Sequence, residues 1–185
     1  MRNFFKNTTS RIIPVALSAS ILVGGLVGTG YAATQGGIGA TSTGAVSIGV
    51  VLGTLARISN LNDLTFGTWS GTGDLVVADD VCVWVSGGGY AVTAQGSGTA
   101  NAFELTNGTT SINYSVKWDD VAGSTVGTPL VTGTALPAQI SSATSTDCTG
   151  GPLTATVEVK IAAADLGAAA SGAYNGVLTL VIAPI

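Results

Sequence analysis

The 185-residue chain contains no histidine. Histidine is the usual general base near neutral pH and the commonest transition-metal ligand. Its absence removes serine–histidine triads and histidine-built zinc hydrolase sites from the available chemistry. The carboxylates offer less than their pairing implies. Asp79-Asp80 and Asp119-Asp120 are sequence neighbours, and neighbours on a strand point to opposite faces. Neither pair is a general acid–base dyad by itself. One member of each could serve a glycosidase, or a calcium ion with help from loop carbonyls, but nothing in the sequence fixes their separation. Solvated turn ends are the plainer reading, and no cofactor, metal or catalytic residue is expected. Gly87-Gly88-Gly89 lacks the lysine and the following helix of a phosphate-binding loop and reads as a turn. Trp69, Trp84, Trp118, Tyr90 and Tyr114 could stack against sugar rings, although aromatics at alternating strand positions more often fill a core. Asn107-Gly-Thr and Asn113-Tyr-Ser have the form of glycosylation sequons, the first also suiting a hairpin turn and the second lying in a strand pattern. Leu136-Pro-Ala-Gln139 resembles the start of a sortase signal without its Thr-Gly or apolar tail. These residues point away from an enzyme.

The N-terminus sets the compartment in which the other residues are read. Arg2, Lys6 and Arg11 precede an apolar run over residues 12–27, and Gly30-Tyr31-Ala32 is a small-x-small cleavage site. Residues 1–32 therefore read as a secretory signal. The run is short for a spanning helix, and Pro14 and several glycines weaken it further. Export leaves Arg57, Lys117 and Lys160 against ten carboxylates, an excess of seven negative charges. That balance disfavours nucleic acid and anionic membrane surfaces as partners. Cys82 and Cys148 are the two cysteines. In an oxidising compartment an even pair reads as one disulfide. A reactive thiol is the alternative, but it needs a cationic neighbour that the sequence does not place beside either cysteine.

The elements must come from a chain rich in Gly and Thr and poor in charge. No helical stripe persists, and many short strands joined by turns predict an all-β sandwich or barrel. Residues 33–43 are a flexible lead-in. Short strands are expected at 64–69, 81–85 and 90–95. A hairpin should join 103–106 to 111–118 through Asn107-Gly108. In its second arm Ile112, Tyr114, Val116 and Trp118 share one face, and Asn113, Ser115, Lys117 and Asp119 share the other. Residues 121–151 are the least readable. Leu153, Ala155, Val157, Val159 and Ile161 alternate with polar residues, and 162–170 offers a weak helical turn.

Two apolar strands organise this reading. Over residues 173–185, Tyr174, Leu178, Leu180 and Ile182 share one face, with Val177, Thr179, Val181 and Ala183 on the other. Such a strand needs cover on both sides. Near the mature N-terminus, over residues 44–53, Val46, Ile48, Val50 and Leu52 alternate with Ser47 and Gly49 in a second apolar strand. The expectation is that this N-terminal strand completes the sandwich of a neighbouring subunit beside that neighbour's final strand.

Several stretches together resemble the spore coat protein U-like family, which includes the pilins of archaic chaperone–usher pili. They are Val46-x-Ile48-x-Val50-x-Leu52, Leu64-Thr-Phe-Gly67, Val81-Cys82 followed by Gly89-Tyr-Ala-Val-Thr, Phe103-x-Leu105 before Ile112-x-Tyr114, and the closing run from Ser171 to Val181. The resemblance covers most of residues 45–184 and rests on their order. It implies an incomplete immunoglobulin-like sandwich completed by donor-strand exchange. The implied layout is a signal peptide at 1–32, an extension with the donor strand at 33–58 and a pilin domain at 59–185. The implied partners are other copies or other pilin subunits, a periplasmic chaperone and an outer-membrane usher. The implied location is a cell-surface fimbria serving adhesion and biofilm formation. Val46, Ile48, Val50 and Leu52 match the donor strand by position. The cysteines depart from the pattern: such pilins often carry one soon after the donor strand, and here only Cys148 is available to pair with Cys82. A monomeric secreted binding module, for carbohydrate or as an envelope or coat component, is the alternative within the same fold.

Overall fold

The computed structural model describes residues 33–185. The signal segment read at residues 1–32 lies outside them. The chain divides into an N-terminal unit ending at Val51 and a second unit, Leu52–Ile185. In the first, Thr34 and Ala45 exchange backbone hydrogen bonds of 2.9 and 3.0 Å. Residues 46–51 carry no strand there. The alternation expected to make a strand is present, but a strand needs a ladder partner and none is assigned to it within the described residues.

The second unit is all-β, with two antiparallel sheets packed face to face. Ten strands lie in it: β1 (Ala56–Ser59), β2 (Leu75–Val85), β3 (Gly89–Gly96), β4 (Glu104–Thr106), β5 (Ser111–Asn113), β6 (Ser115–Asp119), β7 (Thr128–Pro129), β8 (Leu136–Ile140), β9 (Ala155–Ile161) and β10 (Leu178–Pro184). One sheet runs β1-β2-β9-β6-β7, the other β10-β3-β8, and β4-β5 is a separate hairpin. A single helical turn, α1 (Ala163–Ala168), links β9 towards the last strand.

Period-two alternation builds the layers. Val157, Val159 and Ile161 of β9 point inward, as do Val116 and Trp118 of β6 and Val81, Val83 and Val85 of β2. Tyr90, Val92 and Ala94 of β3 face them from the other sheet and are fully buried. Burial of this kind stabilises by about 1.5–3 kcal/mol per large aliphatic. On the outer face, register places Lys117 opposite Glu158, and the two ions meet at 3.1 Å. Both side chains are half-buried at the sheet surface, and such a pair adds little stability.

The sheets meet at Tyr90 and Trp118. Their rings pack edge to face with centroids 6.4 Å apart, and the indole N–H donates to the Tyr90 oxygen at 3.2 Å. Burial, reinforced by the charges of Asp120 and Asp119, pushes the Tyr90 phenol up to about 12. Burial also raises Tyr114. Below pH 10 neither folded nor unfolded chain ionises at these groups. From pH 10 towards 12 the unfolded chain loses its tyrosine proton first, so stability falls across that window. For Tyr90 the loss amounts to about 2–3 kcal/mol. Denaturant titrations between pH 9 and 12 should show this decline, and Tyr90→Phe should flatten it.

The hairpin forms where the sequence places it. The Asn107 side-chain oxygen accepts from the amides of Thr109 and Thr110, both at 2.9 Å, and Gly108 takes φ +93°. The long second arm breaks at Tyr114, whose N–H donates to Phe103 while the chain passes from β4 to β9 as its partner. β2 begins at Leu75, six residues before the expected 81, because both aspartates of the Asp79-Asp80 pair find partners and the strand runs through them. The alternating segment 64–69 was expected as a strand but joins no ladder. Leu64 and Phe66 nevertheless pack inward.

Cys82 and Cys148 are disulfide-bonded, with Cα atoms 5.8 Å apart across a separation of 66 residues. Cys82 is fully buried on the outer side of β2, directly opposite Ser59 of β1. The bond therefore pins the 141–151 loop over the β1–β2 pair. Closing a loop of that length stabilises by about 4 kcal/mol on the chain-entropy account. Replacing both cysteines by alanine should lower the denaturation free energy by about that amount, and wild-type protein unfolded under reducing conditions should match the variant.

Candidate functional site

β1 pairs only with the last part of β2, from Cys82 to Val85. From Leu75 to Val81, β2 pairs with β9 alone. Beside this uncovered half runs the segment 61–66, which makes no backbone ladder. On the other sheet β10 pairs with β3 on one side and, among the described residues, with no strand on the other. β1 and β10 approach each other without bonding. The sandwich is therefore open along one seam, with a sheet edge exposed on the β10 side.

Along the seam lies a cleft of about 420 Å³. One wall is the segment 61–66, with Leu64 and Phe66 turned in. The opposite wall is residues 175–180, with Leu178 and Leu180 turned in. Val157, Val159, Leu105 and Tyr114 form the floor. Val157 and Val159 belong to the core, while Leu64, Phe66, Leu178 and Leu180 remain half-buried at its open margin. The Tyr114 ring stacks on Phe103 with centroids 5.5 Å apart, and its hydroxyl is buried without a hydrogen-bond partner. The lower end is drawn tight by Gly176, where a Cβ would come within 2.9 Å of the Glu104 carbonyl oxygen and of a Leu105 methyl. The apolar side chains share the cleft with Asn62, Asp63, Asp79 and Asn175, so it is a mixed surface beside a strand edge that is unpaired among the described residues. It can accept an extended peptide, which supplies backbone hydrogen bonds to β10 and side chains to the cleft.

The expected donor residues are exposed. Val46 is 74% accessible, Ile48 93%, Val50 81% and Leu52 86%. Four aliphatics at alternate positions in water are an unsatisfied apolar face rather than scattered surface residues.

The remaining candidates do not converge. Trp118, Tyr90 and Tyr114 are buried in the core, the half-buried Trp69 donates its indole N–H to the Gly73 carbonyl at 2.9 Å, and the half-buried Trp84 of β2 lies opposite Arg57, so the core three are not available to a common sugar-stacking surface. The paired aspartates are not free turn ends. Asp79 accepts from the Asn62 backbone and side-chain amides at 2.8 and 2.9 Å. Asp80 accepts from Gly123 N–H at 2.8 Å and from the Thr156 hydroxyl. Asp119 accepts from Val121 N–H at 2.9 Å, and Asp120 from Ile140 N–H at 2.8 Å. Each ties a loop or edge to the sandwich. Among the described residues no three His, Cys, Asp or Glu side chains gather as a metal site. The Asn62–Asp79 contact escaped the sequence reading. Its signal was the alternation itself, which puts Asp79 in the inward row between Val77 and Val81.

No protein-family model matches the chain, and no curated protein matches it. Among solved structures, it is similar to a chain from a chaperone–tip adhesin complex described as vital for synergistic activation of CFA/I fimbriae biogenesis. The identity is 15% and the TM-score 0.46, over 70% of this chain and 42% of that one.

Proposed function

We propose that this protein is a structural subunit of a chaperone–usher fimbria, polymerising by insertion of its N-terminal strand into the next subunit. The observation that carries the reading is the pairing of two unmet needs. The sandwich has an open seam, lined in part by Leu64, Phe66, Val157, Val159, Leu178 and Leu180, beside an edge of β10 that is unpaired among the described residues, and the chain carries an exposed alternating aliphatic segment. Val46, Ile48, Val50 and Leu52 are the donor side chains, and a second copy's cleft is their destination. The same cleft is the docking place for a periplasmic chaperone before assembly, and an outer-membrane usher passes the fibre to the cell surface. The chain is not an enzyme in this account: its role is mechanical, in adhesion and biofilm formation. The resemblance of its ordered motifs to the spore coat protein U-like pilins supports the same reading.

The test is the assembly state of exported protein. Fibres built in this way should run as a ladder in SDS without heating and collapse to a single band on boiling. A stable monomer that neither ladders nor holds a chaperone would instead favour the secreted binding module.

A further inference from the structure

The β2 row that faces the core reads Val77, Asp79, Val81, Val83, Val85, so a carboxylate occupies an inward position among valines. By register Asp79 lies opposite Val157, which forms the floor of the cleft. Both oxygens of Asp79 are used, and both go to one residue. Oδ2 takes the Asn62 backbone N–H at 2.8 Å and Oδ1 takes the Asn62 side-chain amide at 2.9 Å. Bonds to an ionised acceptor are the stronger kind. They matter here because residues 61–66 are joined to the sandwich by no ladder, and Leu64 and Phe66, which form the cleft wall, follow Asn62 by two and four residues.

We infer that the Asn62–Asp79 pair is the latch that sets the width of the cleft, and that Asp79 is a positioning residue for strand insertion. This rests on the proposed polymerisation. An inserted strand must be touched on both sides: β10 offers its backbone edge, and Leu64 and Phe66 close over the side chains. With the latch intact that wall is already in place, so the ordering cost is met when the subunit folds and not when the junction forms. With the latch gone the wall keeps its chain connection to β1 and the packing of its two apolar side chains but loses its fixed distance from β2, and the occupant leaves faster.

The test separates positioning from stability. Asp79→Val should leave the subunit as stable as wild type or more so, because valine suits an inward strand position. A merely structural role for Asp79 would instead lower monomer stability. Fibres of Asp79→Val and of Asn62→Ala should each lose their SDS-resistant ladder about tenfold faster than wild type at a fixed temperature, well below the full worth of two charge-assisted bonds because both lie at the exposed margin of the cleft. Combining the two substitutions should add nothing beyond either alone, because both remove the same contact. Ladder lifetimes equal to wild type in both single variants, with chains shown folded by their denaturation midpoints, overturn the inference and leave the polymer reading standing. Wild-type chain that gives no ladder at all overturns both.

Discussion

Ile48→Asp should abolish fibres while leaving a folded subunit that still co-purifies with its periplasmic chaperone. Ile48 is the most exposed of the four alternating aliphatics, so the substitution costs the free chain nothing in packing. In the proposed junction the same side chain would enter the cleft lined by Val157 and Val159. A native isoleucine contributes about 1.5–3 kcal/mol there by area burial. An aspartate forfeits that contribution and adds the cost of an unpaired charge, several kcal/mol more. A total near 6 kcal/mol is a factor of more than about ten thousand in junction affinity. On the proposed reading chaperone binding should survive, because the chaperone would use the subunit's own cleft and not its N-terminal segment. Ser47→Asp, on the opposite face, should leave fibres visible by electron microscopy. Loss of the chaperone complex together with the fibres would mean that residues 46–52 serve the subunit's own core.

Trp118→Ala should be the most destabilising single change within the sandwich. Trp118 is 1% accessible, packs edge to face on Tyr90 across the two sheets and donates its indole N–H to the Tyr90 oxygen. Truncating a buried aromatic of this size costs about 3–5 kcal/mol. The substitution also removes a donor from a buried phenol, which adds to the loss. Against the total stability of an ordinary domain, about 5–15 kcal/mol, a large share of chains would be unfolded at 37 °C. Trp118→Phe keeps most of the ring and loses the hydrogen bond, so it should cost about 1–2 kcal/mol. Guanidinium denaturation of both variants measures this. A loss under 1 kcal/mol for the alanine variant would contradict the placement of Trp118 as the contact between sheets.

The elements that alternate strictly are legible in the sequence. Ile112, Tyr114, Val116 and Trp118 face the core together, β9 repeats the pattern, and Asn107-Gly108 marks its hairpin. The disulfide partners were legible from their number and compartment, and they are bonded. What escaped was set by partners distant in sequence. β8 lies in a stretch of Thr, Ser, Gly and Pro, and its register to β3 slips at Tyr90 and Val92, so no clean alternation marks it. Asp79-Asp80 looked like a turn because paired carboxylates favour solvent, yet Asn62 and Thr156 satisfy them inside a strand. Residues 64–69 alternate like a strand and do turn Leu64 and Phe66 inward, but they meet no ladder. The cleft was legible only as a suspicion that the last strand lacked cover. Its walls come from residues more than a hundred positions apart, and only their approach in space defines it.

The most direct measurement is a cross-link from inside the junction. A photoreactive phenylalanine analogue placed at position 48 of the full chain, exported with its secretion machinery and illuminated in assembled fibres, reports what surrounds that side chain. The account predicts a covalent product between two copies, with the linked peptide carrying Leu178, Leu180 or Val157 of the accepting subunit. The same analogue at position 47 should give far less of it. A cross-link confined to the chain's own peptides, or one landing between copies but away from the cleft walls, would contradict strand insertion.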